Sequence, residues 1–300
     1  MSATKEGSSF KLVVLNPGGR DPEQYFDSPA KPDSGAHAPV NFHAYAACTG
    51  GSFHRDTKNA IAEGAPILLL LRGNLKAAQR AMQACRNAGA KVLVSLKETG
   101  LHQAAQPLAN PAIAARFFDI LASANGCIAA TPEIAELYRL SRPQADLKTV
   151  AFIPTPYPLS ESVWDFSVRP DKQSGIFIGT REWDVPSRNH FTALLLAKKL
   201  SEATGEPVSV FNLDGRKGNR LLEKFGFRPG KLRVFEKEEP YPNYLREVAK
   251  HKIVLQLDRS RVPGQVAGDA LLCRTVCVGG DSAIERIAFP KTSGAGRTFD

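Results

Sequence analysis

The residues best placed for chemistry are cations standing beside glycines at the ends of apolar runs. Gly179-Thr-Arg-Glu-Trp-Asp-Val-Pro-Ser-Arg-Asn-His190 leaves one such run and enters a long helical pattern. That spacing gathers Arg181, Arg188 and a helix N-terminus, an arrangement that favours an anion. The plainer alternative is a pair of surface ion pairs with Glu182 and Asp184, which contribute little when solvated. Asn212-Leu-Asp-Gly-Arg-Lys-Gly218 adds Arg216 and Lys217 after the next run, either as a second anion-binding turn or as a solvated loop. Earlier, Asn16-Pro-Gly-Gly-Arg20 follows the first strand, so Gly18 and Gly19 either admit a ligand close to the backbone or form a turn.

Missing motifs narrow the chemistry. The chain has no Gly-x-Ser-x-Gly elbow, no His-Glu-x-x-His and no Cys-x-x-Cys, which argues against serine hydrolases, zinc peptidases and zinc ribbons. Gly230-Lys231-Leu232 lacks the Ser/Thr and the upstream glycine of a Walker loop and is expected as a turn before a strand. No Asp-x-Asp is present to hold a metal-bound diphosphate, so phosphate chemistry would lean on cationic side chains and backbone amides. A Gly-x-Gly-x-x-Gly fingerprint and a Tyr-x-x-x-Lys pair are also missing, which argues against a sugar-nucleotide epimerase or dehydrogenase.

These residues must be positioned by a scaffold, and 300 residues suffice for two domains, expected over 1–160 and 161–300. With 43% hydrophobic residues, 23% charged and a mean hydropathy of -0.22, the composition is that of a folded, soluble chain. Strands are expected at Lys11–Leu15, Ile67–Leu71, Lys91–Leu96, Cys127–Ala130 and Val150–Ile153. These runs show no polar alternation, which suits a parallel sheet covered on both faces. Helices between them are signalled by Asn74 as N-cap with Gly89 as terminator, and by Thr131 as N-cap with Pro132 at the first turn. A proline-rich, then polar stretch from Pro154 to Ser174 has neither period and is expected as a linker. Beyond it the alternation resumes, with strands at 175–178, 208–211, 232–235, 253–257 and 275–278 and helices at 187–203, 219–225, 241–249 and 266–273. The fold class expected is therefore α/β, with two Rossmann-like doubly wound domains facing a cleft.

Five scattered cysteines, mostly in apolar segments, suggest reduced, buried thiols, with Cys273 and Cys277 packing a core. The net charge of +9 is spread over both halves and favours an anionic ligand without a concentrated basic tail. The longest apolar run, Ile67–Leu71, falls well short of the roughly 20 residues of a membrane span. With no secretory signal visible near Met1, cytoplasmic residence is the expectation.

From Gly175 to Glu285, and above all over Tyr244–Gly280, the order helix, buried strand, polar loop, small-residue helix and strand resembles the donor-binding half of the GT-B glycosyltransferases. Asp269-Ala270 stands where that family usually has Glu-Ala, preceded by the loop Arg261, Pro263, Gly264 and Gln265. Asp is one methylene shorter, so a contact to a ribose or sugar hydroxyl would be made differently or through water. The first half matches only in general organisation, and Lys291–Asp300 carries none of the closing helices usual in the family.

The resemblance implies a metal-independent transferase with no cofactor beyond a nucleotide-sugar co-substrate. It would act on a hydroxyl acceptor such as a saccharide, a lipid-linked glycan or a hydroxylated DNA base, the last suiting the positive charge. It assigns the donor diphosphate to Arg181 and Arg261, with Arg188 as a further candidate. Gly179 and Gly264 would admit it to the backbone, with Gln265 in the same loop, and Asp269 would orient a hydroxyl. The Gly18-Gly19 turn falls on the acceptor side. An inverting enzyme also needs a base, for which Glu98 is a candidate, with His54 and His43 as rivals. A non-catalytic two-domain protein that closes on a phosphorylated or sugar ligand is the alternative.

Overall fold

Uninterrupted runs of branched apolar residues become the inner strands of two separate sheets in the computed structural model, which describes residues 10–28, 30–72, 75–97, 100–142, 149–180 and 183–297. Contacts divide the chain into two units, one built from residues up to 99 with 104–158, the other from 100–103 with 159 onward.

The first unit contains β1 (Val13–Leu15), β2 (Gln24–Tyr25), α1 (Ala44–Ala47), β3 (Ser52–His54), α2 (Thr57–Ala62), β4 (Ile67–Leu70), α3 (Leu75–Asn87) and β5 (Val92–Ser95). There follow α4 (Leu101–Leu108), α5 (Pro111–Ser123), β6 (Gly126–Ala129), α6 (Pro132–Ser141) and β7 (Val150–Phe152). The sheet order is β2-β3-β1-β4-β5-β6-β7, parallel throughout except for the β2 edge, which runs against β3. Val13, Leu15, Leu69 and Val94 face α3 and α5 on one side, while Leu12, Val14, Leu68 and Leu70 pack with Tyr45 and Phe53 on the other. This double coverage accounts for the missing polar alternation.

Helix starts follow local chemistry. The Thr131 hydroxyl accepts from the Ile134 amide at 3.2 Å, with Pro132 opening α6 as expected. Asn110 caps α5 the same way ahead of Pro111. Asn74, expected to cap α3, lies outside the described residues, and Gly89 closes that helix at φ +70°.

The second unit contains β8 (Ile176–Ile178), α7 (His190–Thr204), β9 (Val208–Phe211), α8 (Arg216–Phe225), β10 (Leu232–Phe235) and α9 (Tyr241–Val248). It ends with β11 (Ile253–Leu255), α10 (Gln265–Leu272), β12 (Val276–Val278) and α11 (Ala283–Ala288). The order β10-β9-β8-β11-β12 is parallel throughout, so the chain reverses its direction of growth between β8 and β11. The core joins Ile176, Ile178, Val208, Val210 and Leu255 to Ala193, Leu194 and Ala197 of α7.

Three expectations are corrected. The stretch from Leu159 is not a free linker: Trp164 is 2% exposed and its ring lies against Phe166 and Tyr241, because two large aromatics beside the prolines make it adhesive. A single 3-10 turn, Pro186–Arg188, precedes α7, so that helix starts at His190 after Asn189 adopts φ +49°. The predicted helix at 219–225 begins earlier, at Arg216, so Arg216 and Lys217 form the first turn of α8 rather than a loop. All five cysteines are free, and four are buried while Cys48 is exposed.

Candidate functional site

In an open parallel sheet, ligands collect at the carboxyl ends of the strands where the order reverses. In the second unit that place lies between β8 and β11, and the loops leaving these strands are tied together. The Asn189 amide donates to the Leu257 carbonyl at 2.8 Å, the Arg259 amide to the Ser187 carbonyl at 2.9 Å, and the Ser260 hydroxyl to Ser187 Oγ at 2.8 Å. Gly179, the residue after β8, has no space for a side chain, since a Cβ would overlap Val266 on α10. Glycine therefore lets α10 approach the sheet.

The N-terminus of α10 completes this corner. Gly264 stands at its cap with φ +110° and supplies no side-chain cap, and Gln265 is the first helical residue. A Cβ on Gly264 would overlap the Ser282 hydroxyl. The carbonyls just before it serve another helix: Val262 and Pro263 accept from the amides of Ala283 and Ile284 at 3.0 and 3.1 Å, satisfying the first turn of α11. Glu285 closes the α11 capping box with Ser282. Its buried carboxyl, held above the usual range by desolvation, also accepts from the Gly280 amide at 3.1 Å.

Charges at this corner are balanced locally. Arg188 forms an ion pair with Asp258, a carboxylate 2% exposed that also accepts from the Ser260 amide at 2.7 Å. The sequence offered Glu182 and Asp184 as its local partners; the Asp258 partner lies seventy positions away, and Glu182 is outside the described residues. Arg261, at φ +51°, keeps a half-exposed side chain with Nε 4.0 Å from Asp281. Its backbone amide donates to the same Asp281 at 3.1 Å. Burial raises the Asp281 pKa, against the lowering effect of that amide. Asp269 is buried on α10 and accepts from the Tyr241 hydroxyl at 2.6 Å, so its orientation is fixed by α9.

Beside Arg188, His190 opens α7 with Nδ1 2.8 Å from the Thr180 hydroxyl and its ring stacked on Trp183 at 4.5 Å. Burial pushes its pKa down to about 4, so the imidazole is neutral at the positive end of a helix. The structure thus brings Gly179, Arg188, Arg261, Gly264 and Gln265 to one sheet end, with Asp269 one turn along α10. Arg181 lies outside the described residues.

The first unit presents a different set of groups. Gly18 follows β1 at φ +79°, and a Cβ on Gly19 would overlap the Asn16 amide, so both glycines have a steric reason to form this turn. His54 ends β3, 1% exposed, with its ring nitrogens 3.7 Å from Glu23 and 3.4 Å from Glu63. It stands between these two carboxylates with its ring edge-on to Tyr25 at 5.6 Å. His43 donates from Nε2 to the Pro22 carbonyl at 3.0 Å, and burial lowers its pKa to about 4. Glu98 lies outside the described residues.

Its neighbour Lys97 was missed by sequence reasoning. It is 1% exposed just past β5, donates to Thr155 Oγ1 at 3.2 Å and lies over the Tyr45 ring at 5.7 Å. Desolvation drives its pKa well down. A lysine continuing an apolar strand was the available signal. Asp258, Asp281 and Tyr241 were also missed, because only the folded chain brings them to their partners.

Among the described residues no group of three His, Cys, Asp or Glu side chains is gathered to hold a metal ion, and no helix is long and apolar enough to cross a membrane. No protein-family model and no curated protein sequence matches the chain. Solved structures do. A protein from Anabaena, HepE, in complex with UDP, superimposes with a TM-score of 0.57 at 11% identity, covering 91% of this chain and 81% of its own. A UDP-forming α,α-trehalose-phosphate synthase from Burkholderia xenovorans gives 0.53 at 8% identity, over 92% and 85%. A glycosyltransferase from Rickettsia africae gives 0.51 at 10% identity, over 96% and 84%. At these identities the likeness is one of fold: the chain has a two-unit α/β fold of the GT-B type.

Proposed function

We propose that the chain binds a nucleotide sugar at the β8–β11 strand ends and transfers the sugar to a hydroxyl acceptor, as a glycosyltransferase. The observation that carries this reading is the corner where Gly179 and Gly264 clear the backbone, α10 presents an N-terminus without a side-chain cap, and the loops after β8 and β11, which carry Arg188 and Arg261, are hydrogen-bonded to each other. Fold-mates in complex with UDP or forming UDP support it.

Transfer breaks the bond between the anomeric carbon and a phosphate oxygen, and the leaving diphosphate gains charge. Arg261, half-exposed, reaches that charge, assisted by the α10 amides. Arg188, already paired with Asp258, fixes the loop and supplies a weaker field. Arg181 remains a further diphosphate ligand in this proposal. Asp269, held by Tyr241, accepts from a ribose or sugar hydroxyl, directly or through water. Glu98 is the proposed base. His54, wedged between Glu23 and Glu63, is poorly placed for that role because a base must reach the acceptor proton. The Gly18-Gly19 turn remains the proposed acceptor-side loop. No metal and no bound cofactor enters the proposal, and the acceptor is a saccharide, a lipid-linked glycan or a hydroxylated DNA base.

Calorimetric titration with UDP, GDP and ADP and their sugars tests it. One nucleotide is expected to bind with micromolar affinity, and Arg261→Ala to weaken it at least tenfold. Absence of heat with all of them removes the proposal. A second reading has its own support: a putative UDP-N-acetylglucosamine 2-epimerase from Listeria monocytogenes shares the fold with a TM-score of 0.50 at 10% identity. The missing dinucleotide fingerprint therefore does not separate the two chemistries. Deuterium entering the sugar from heavy water without an acceptor would favour epimerisation; nucleoside diphosphate release that depends on an acceptor favours transfer. Binding with neither outcome returns the non-catalytic binder.

A further inference from the structure

On the same unit, α8 carries four cations that the proposed donor site does not use. Arg216, Lys217, Arg220 and Lys224 are all exposed, and none forms an ion pair with another described residue. Arg216, Arg220 and Lys224 are four residues apart, so they form one row along the helix that rises about 6 Å per step. This row borders an open-sided cavity of about 600 Å³ with Trp183 and Leu221 on its apolar wall. Gly218 lies on the cavity floor, where a Cβ would overlap the Asn212 amide. Asp184 and Asp214 border the cavity as well. Like charges one turn apart on a helix repel one another, so a polyanion laid along this row would relieve that repulsion.

We propose that this face binds a single strand of nucleic acid, with its phosphodiester groups along the α8 row and a base in the cavity beside Trp183. A cationic row next to an aromatic wall is how single strands are held without reading their sequence. The cavity of about 600 Å³ has room for a splayed base, which a paired duplex does not present. Asp184 and Asp214 repel a phosphate and accept from ring N–H groups of a base, so they set the end at which the backbone stops. The inference holds whether or not the unit also takes a nucleotide sugar.

Fluorescence anisotropy of a labelled 12-nucleotide oligothymidylate with the full chain tests it, over 25 to 200 mM salt. The native chain is expected to bind with a strong salt dependence. Arg220→Glu with Lys224→Glu should lose at least tenfold, and Arg220→Gln with Lys224→Gln should lose less and reduce the salt slope by about 1.4, the share of two phosphate contacts on a single strand. Lys76→Glu with Arg80→Glu, an equally spaced exposed pair on α3, makes the same change in net charge and should leave affinity within twofold. Equal loss from the α3 pair, unchanged affinity in both α8 variants, or no binding at 25 mM salt overturns the proposal. So does displacement by inorganic polyphosphate or duplex DNA as effective as by the unlabelled strand. Melting curves of the exposed-site variants should match the native chain, and the glutamine pair decides the matter if charge reversal disturbs folding.

Discussion

The strand ends of the two units treat their lysine and arginine side chains in opposite ways. In the first unit burial works against charge: desolvation drives the Lys97 pKa well down just past β5, and that of His43 down to about 4. At the β8–β11 corner of the second unit the guanidinium groups are paired with carboxylates, Arg188 with Asp258 and Arg261 with Asp281, while burial holds His190 beside them at about 4. The difference teaches where a charged ligand belongs. A corner that stabilises guanidinium groups and leaves one half-exposed has a fixed field to offer a diphosphate. A corner where desolvation works against cations offers hydrogen bonds and shape. The two tryptophans, Trp164 and Trp183, both lie in the second unit, so indole fluorescence follows that unit alone.

The contrast breaks most visibly at Arg188. Arg188→Ala leaves Asp258 buried without its guanidinium and is expected to cost about 3 to 5 kcal/mol, read as an earlier indole transition in urea. An unchanged midpoint would mean that the charge balance is not what holds the corner. Acid should affect both units. Burial holds His43 and His190 at about 4 in the folded chain against an ordinary 6.5, so the unfolded chain takes up protons first as pH falls. Stability is full above about 6.5 and is lost as pH falls through 4, by up to about 3 kcal/mol for each histidine. His190→Asn should flatten the loss seen by indole fluorescence and leave that in the first unit's amide exchange, whereas His43→Asn should do the reverse. At Gly179 the comparison sharpens: Gly179→Ala forces α10 from the sheet and should cost about 1 to 3 kcal/mol together with nucleotide affinity. Arg169→Ala, which removes an exposed pair with Asp171, should shift the midpoint by less than about 0.5 kcal/mol.

The second unit was the more legible in sequence, because its strands are apolar runs separated by single helices. All five appear within two residues of their expected ends. In the first unit β2 and β3 escaped: Gln24–Tyr25 is a two-residue edge, and Ser52–His54 has polar ends that pattern reading assigns to loops. The start of α5 escaped too, although Asn110-Pro111 carries the same signal as Thr131-Pro132. Glycines and arginines of the candidate corner were readable, as they follow strands directly. Their partners were not, because Arg188–Asp258 and Tyr241–Asp269 join residues 70 and 28 positions apart, and periodicity carries no such information.

The carbonyls of Val262 and Pro263 give the corner a built-in reporter. They leave the loop that leads into α10 and hold the first two amides of α11. Any occupant that pulls this loop toward itself must tug on those amides, so the deuterium uptake of Ala283 and Ile284 becomes a gauge of occupancy, legible without labelling the ligand or knowing the reaction.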